Sequence, residues 1–233
     1  MENRKDKVPP VFEPVTSIPL TFINYSLGIL FMLPILLLFA SIFAFVYEGN
    51  IEAALSVSVF AFIIIVLFVV YIIGKRKKAY TTILINHNGI QYFNKFNGKL
   101  MKEIAWDNFV KGKENFNEAV GIKYDITTVL PRKAFYSYFN FEVLVGKEAI
   151  IQKEFFHGSH IFYLLYANRL KLIRAFLLGI KHFRPDLRVD PKAFRDHYIN
   201  PESFEIDFKQ RNLLVFFAFL VLIAILIGIC YFV

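Results

Sequence analysis

Three stretches of this chain carry no charged residue for more than twenty positions, and they limit the folds open to it. Ser26 to Tyr47 is one, Ala53 to Gly74 the second and Leu213 to Val233 the third. A helix rises about 1.5 Å per residue, so roughly twenty residues cross the ~30 Å hydrocarbon core of a bilayer. Each run is long enough. An uncharged apolar run of this length is poorly explained by a core helix of a soluble domain, so three transmembrane helices are expected. The first run is too long for a signal peptide, and the chain turns back after only Glu48 to Glu52. The turn-rich Tyr47-Glu48-Gly49-Asn50-Ile51-Glu52 predicts that the first two helices pack antiparallel.

Basic flanks set the orientation, because Lys and Arg stay on the cytoplasmic side. Arg4, Lys5 and Lys7 precede the first run, Lys75-Arg76-Lys77-Lys78 follow the second, and Lys209 and Arg211 precede the third. The hairpin has no Lys or Arg. The N-terminus and residues 75–211 are then cytoplasmic at an inner membrane, with the hairpin and the C-terminus outside. No ionisable side chain lies inside any run, whereas pumps and coupled transporters place such groups at membrane depth. Pro34 is a candidate kink in the first helix. Asn24, Ser26, Ser41, Ser56 and Ser58 read as helix-contact or interface residues. Ala40 with Ala44, and Ala54 with Ser58, have the small-xxx-small spacing that lets helices approach closely.

Composition matters mainly for the part between the second and third runs. Residues 75–211 hold 24 of the 27 Lys and Arg but only 14 of the 19 Asp and Glu. Strand-forming segments come first: Thr81–Asn86, Ile90–Phe96 and Leu100–Trp106, separated by His87-Asn88-Gly89 and Asn97-Gly98. Asn-Gly between such runs is a strong hairpin signal because both turn positions require positive φ. Val120, Ile122, Tyr124 and Ile126 alternate with Gly121, Lys123, Asp125 and Thr127, the period of a strand with one buried face. Phe135–Val145, turned by Gly146-Lys147, leads to Glu148–Phe156. In the first of these, Phe135, Phe139, Phe141, Val143 and Val145 share a face.

The period then changes. Ser159 is a candidate N-cap for a helix over Ile161–Ile180, with Phe162, Leu165, Arg169, Ile173, Phe176 and Ile180 on one stripe. Pro185 closes it. Pro191 and Pro201 punctuate 184–211, an extended or short-helical linker back to the membrane. Several antiparallel strands followed by one helix make an α+β outline, a small bent sheet or barrel capped by a C-terminal helix.

Asn88-Gly89-Ile90, the hairpin after it, and Ile104-Ala105-Trp106-Asp107-Asn108-Phe109 resemble the opening of bacterial pleckstrin-homology-like domains. The YcxB-like membrane proteins, mostly of unknown function, are among them. Val129-Leu130-Pro131-Arg132-Lys133-Ala134-Phe135 is similar to a phrase of that family, and two N-terminal spans before the domain match its layout. The third run and residues 184–211 depart from it. The resemblance spans about residues 20–180. It implies a PH-like cytoplasmic domain over 75–183 that binds rather than catalyses, and it supplies no catalytic residues. The expected organisation is an N-terminal segment 1–20, a transmembrane hairpin 21–74, the PH-like domain 75–183, the linker 184–211 and a transmembrane helix 212–233.

Candidate chemistry is sparse. His157 and His160 stand at i and i+3, but a zinc site needs three or four ligands, and the chain's one cysteine, Cys230, lies in the third run. Cys230 is fourth from the end, the place of a prenylated cysteine, but it lies inside an uncharged run. Neither a nucleophile elbow nor a Gly-rich phosphate loop is present. No cofactor or metal is expected, and the chain reads as non-enzymatic. The acidic and basic residues of 184–207 read as a solvated, mixed-charge surface, with a partner-docking strip as the sharper alternative. The membrane-surface residues are Lys75, Arg76, Lys77, Lys78, Lys209 and Arg211, each basic side chain near an anionic leaflet gaining about 1 kcal/mol. The expected partners are the lipid bilayer, with either anionic headgroups or a membrane-protein partner, including a second copy of the chain. Nucleic acid is not expected. The rival reading is a subunit of a membrane assembly such as a secretion machine or an immunity system, and a lipid-acting enzyme ranks below both.

Overall fold

The computed structural model describes residues 10–112, 124–131, 137–213 and 216. The third uncharged run lies outside these apart from Leu213 and Phe216, as do residues 120–123 of the alternating segment and Phe135. The described residues are α+β: two long N-terminal helices, two small antiparallel sheets, and helices toward the C-terminus.

Helix α1 (Thr21–Tyr47) and helix α2 (Ile51–Lys78) pack together, joined by Glu48–Gly49–Asn50. Gly49 takes φ 73°, open to glycine without cost. Asn50 caps α2 by accepting from the Ala53 amide at 3.1 Å. α1 bends by 40° between Thr21–Leu30 and Leu33–Tyr47. The bend lies just before Pro34, whose ring removes the hydrogen bond to Leu30. α2 is long and apolar enough to cross a membrane, with a mean hydropathy of 3.1 in its most apolar stretch and only 6% of that stretch buried. α1 also qualifies when its two segments count as one span. On α2 the small residues Ala54 and Ala61 are buried and Ser58 is half-buried, whereas on α1 Ile35 is buried and Ala40 and Ala44 stay exposed. The hydroxyl of Ser58 donates to the Ala54 carbonyl at 2.7 Å, so that polar group is satisfied within its own helix.

The described residues divide into two compact units. One holds residues 14–104 and 156–172 and includes the helical hairpin. Its sheet runs β1 (Val15–Thr16), β2 (Thr82–Asn86), β3 (Gly89–Asn94), β4 (Lys99–Ala105) in spatial order. The tight turn between β2 and β3 pairs Asn86 with Gly89, as the sequence predicts. Ile83, Ile85, Ile90 and Tyr92 are fully buried. β1 has no sequence signal, since two residues show no alternation. Its pairing of Val15 with Ile85 and Thr16 with Leu84 nevertheless draws the segment before α1 into the sheet.

The other unit holds the described parts of 1–13, 105–155 and 173–233. β7 (Tyr138–Val145) is its central strand. Along one edge it pairs with β8 (Glu148–Glu154) through a turn in which Gly146 takes φ 67°. Its other edge is shared. β6 (Ile126–Val129) pairs with Tyr138–Phe141, and β5 (Phe109–Val110) pairs with Glu142–Val143. The expected face is buried at Phe139, Phe141 and Val143, but Val145 at the hairpin end is 59% exposed. Trp106, in a 3-10 turn over Trp106–Asn108, stacks on Phe183 at 5.5 Å and on Phe109 at 5.7 Å. Phe176 packs against Phe139 at 5.1 Å and Phe141 at 5.6 Å.

One element departs from expectation. The helix α3 runs Arg169–Phe183, not Ile161–Ile180. Ile161–Tyr163 forms a separate 3-10 turn capped by His160, whose Nδ1 accepts from the Phe162 amide at 3.3 Å. Ser159 does not cap it. Its hydroxyl accepts from the Tyr80 amide at 2.9 Å instead. The tertiary bonds of 157–168 outweigh local helix propensity there. Residues 184–211 contain α4 (Pro191–Arg195), capped by Asp190, whose carboxylate accepts from the Lys192 amide at 2.8 Å. Residues 208–213 are helical.

Candidate functional site

The cationic end of the helical hairpin is built by the segment that follows β8. Because α1 and α2 are antiparallel neighbours, the start of α1 and the end of α2 lie at the same end of the hairpin. Asn24, fully buried on the first turn of α1, bonds the Leu165 backbone twice: its amide donates to the carbonyl at 2.9 Å and its oxygen accepts from the N–H at 2.9 Å. Asn168 repeats the arrangement on the chain before α1. It accepts from the Ile18 amide at 2.7 Å and donates to the Thr16 carbonyl at 2.8 Å. Leu20 and Ala167 add backbone bonds to Leu165 and Ile18, each 2.8 Å. Gly28 gives Phe162 room against α1, since a Cβ there would lie 2.5 Å from the ring. Tyr25 covers the same ring at 5.4 Å.

The end of α2 is tied down as firmly. The Arg76 carbonyl, which has no helical partner at that position, accepts from the Asn94 side chain at 2.8 Å. The Arg76 guanidinium lies over Phe96 at 4.6 Å, near enough for a cation–π contact. Phe96 packs edge-on against His160 at 5.0 Å and Tyr163 at 5.7 Å, and Lys95 sits 5.7 Å over Tyr163. Lys75 lies 5.7 Å over Tyr71. The result is an alternation of cations and aromatic rings around one helix terminus. Burial holds the His160 imidazole below its ordinary pKa, with the positive charge of Arg76 adding to the effect. His157 is pushed down to about 4, by burial first and by Arg169 second. Both histidines are thus uncharged at neutral pH.

The sequence-derived basic residues fall into two groups. Lys75, Arg76, Lys77 and Lys78 make up the last turn of α2, all exposed, where positive charge also complements the helix dipole. Lys209 and Arg211 lie in the other unit, in the helical residues 208–213, with Lys209 exposed and Arg211 half-buried. None of the six is in an ion pair among the described residues, where the one ion pair is Arg184 with Asp186 at 2.9 Å. Phe96, Tyr163 and Asn94 were missed by sequence reasoning. Only the tertiary fold brings them to the helix end.

Other polar contacts serve the second unit's architecture. Arg184 donates to the carbonyls of Trp106 and Phe109 and grips Asp186 through two bonds of 2.9 and 3.0 Å. That pairing lowers the Asp186 carboxyl pKa. Asp125 accepts from the amides of Gly112 and Arg188. Ser137 Oγ lies 3.5 Å from His197 Nε2, but that ring stacks on Phe139 and is only 3% exposed. Among the described residues no three His, Cys, Asp or Glu side chains gather as a metal site would require. No family model, curated protein or solved structure matches the chain.

Proposed function

We propose that the chain is a non-enzymatic membrane protein whose cytoplasmic part reads the anionic surface of the leaflet that anchors it. α1 and α2 cross the bilayer as a hairpin, and the run 213–233 crosses again. The N-terminus and residues 75–211 face the cytoplasm. The observation that carries this reading is α2 itself: its apolar stretch is almost wholly exposed and ends in four exposed basic residues that form no ion pair among the described residues. An apolar surface of that size exceeds what a soluble monomer leaves in water. Lipid covers it at the least cost, and the positive charge then lies at headgroup depth with Tyr25, Tyr71 and Phe96 as interfacial rings. Two antiparallel sheets followed by α3 support the pleckstrin-homology-like reading of the cytoplasmic part.

Spin-labelled lipids in vesicles of the reconstituted full chain test this. The boundary should prefer phosphatidylglycerol to phosphatidylcholine, and the preference should weaken as salt rises. Replacing Lys75, Lys77 and Lys78 with Gln should remove most of it. Equal association of both lipids would refute headgroup recognition.

A second reading, a subunit of a membrane assembly, is favoured by Ala40 and Ala44, small residues at i and i+4 that stay exposed on α1. Disulfide trapping of Ala44→Cys in a Cys230→Ser background tests self-association through this face. The absence of a cross-linked dimer in native membranes would count against a homo-oligomer.

A further inference from the structure

A groove of about 350 Å³ opens beside the C-terminal half of α3 in the second unit. Leu177 and Ile180 form its floor, and Phe194 of α4 and Phe204 form an aromatic wall, their rings 5.7 Å apart and edge-to-face. The size lies within the range of small-molecule sites. Its walls offer few hydrogen-bond donors. Pro185, Pro191 and Pro201 line it and have no N–H. The N–H groups of Leu187 and Phe204 are used internally, by the carbonyls of Arg184 and Asn200. A peptide laid in the groove would find little to pair with its backbone, whereas a hydrocarbon chain asks for no partner.

Two features make this more than a surface crease. Phe204 takes φ 55°, a left-handed conformation that costs a non-glycine residue and is held only where the surroundings fix it. Arg174 supplies that hold, its Nε donating to the Phe204 carbonyl at 2.7 Å. Phe204, held in this way, is one of the residues that line the groove. The second feature is Lys181, the one ionisable side chain of the lining, exposed and in no ion pair among the described residues. One cation at the edge of an otherwise apolar groove complements a ligand with one anionic end and one apolar chain.

We propose that this groove binds a long-chain fatty acid, its hydrocarbon against Leu177, Phe194 and Phe204 and its carboxylate at Lys181. The test uses the full chain in phosphatidylcholine nanodiscs with a diazirine-labelled oleic acid, adducts being mapped by peptide mass spectrometry. Adducts are expected within residues 177–204, reduced at least tenfold by excess oleate but not by oleyl alcohol. Lys181→Gln, an exposed position whose change leaves Trp106 emission intact, should reduce them at least fivefold. Val189→Trp, filling the groove, should abolish them. Adducts confined to residues 21–78, or adducts within 177–204 that ignore Lys181→Gln and yield equally to oleyl alcohol, would overturn the assignment. The membrane reading stands or falls separately, since the adduct map within 177–204 does not depend on how α1 and α2 are seated.

Discussion

Asn24 and Leu165 are joined by two hydrogen bonds of 2.9 Å, one in each direction, across 141 positions of sequence. This reciprocal pair fixes the first turn of α1 to the segment that carries Phe162 and Tyr163. Asn24→Ala leaves the half-buried N–H of Leu165 without its partner, at about 1–3 kcal/mol, while the Leu165 carbonyl keeps the Leu20 amide. Hydrogen exchange in residues 157–168 should accelerate at least tenfold, with the β7–β8 hairpin unaffected. Unchanged exchange in 157–168 would show that the backbone bonds of Leu20 and Ala167 suffice.

Gly179 faces Trp106 so closely that a Cβ would lie 2.5 Å from two atoms of the indole and 3.3 Å from Phe12. Alanine is the better helix former by about 1 kcal/mol, but overpacking a rigid core costs about 1–3 kcal/mol. The indole is stacked between rings and cannot swing aside, so overpacking wins. Gly179→Ala should lower the melting temperature and shift the emission of the chain's single tryptophan. A stabilised variant would mean the stack has slack.

The parts legible in the sequence were those set by short-range chemistry. The Asn50 turn between the helices, the turns around Asn88-Gly89 and Gly146-Lys147, and the burial of Phe139, Phe141 and Val143 follow from capping, turn-forming residues and apolar patterning. Neither Asn88 nor Asn97 takes positive φ, however, and Asn140 and Glu142 on the other face of β7 are buried as well. The start of α3 was not legible. Phe162 and Leu165 continue the stripe of Ile173 and Phe176, yet 157–168 is claimed by Asn24, Tyr80 and Ile18, which periodicity cannot register. The same holds for the site. The run Lys75–Lys78 stands out in sequence, whereas Asn94 and Phe96, which hold Arg76, look like ordinary strand and turn residues.

Acid should weaken the unit that contains His157. Its imidazole has an ordinary pKa of 6.5 but is pushed down to about 4 in the fold. Between those values the unfolded chain binds the proton and the native chain does not, so stability falls as pH drops. The contribution is whole above pH 6.5 and lost progressively toward pH 4. His157→Gln should flatten the stability profile over that window in detergent-solubilised protein. A profile as steep as the wild type's would assign the acid sensitivity to other groups.

The central claim is that α1 and α2 cross a bilayer and leave the sheets on the side opposite the hairpin turn. Two single-cysteine variants in a Cys230→Ser background test it, Gly49→Cys in the turn between the helices and Asn97→Cys in the turn between β3 and β4. An impermeant maleimide is added to sealed right-side-out and inside-out membrane vesicles. The account predicts that position 49 is labelled only in right-side-out vesicles and position 97 only in inside-out ones. Labelling of both positions from the same side would contradict it.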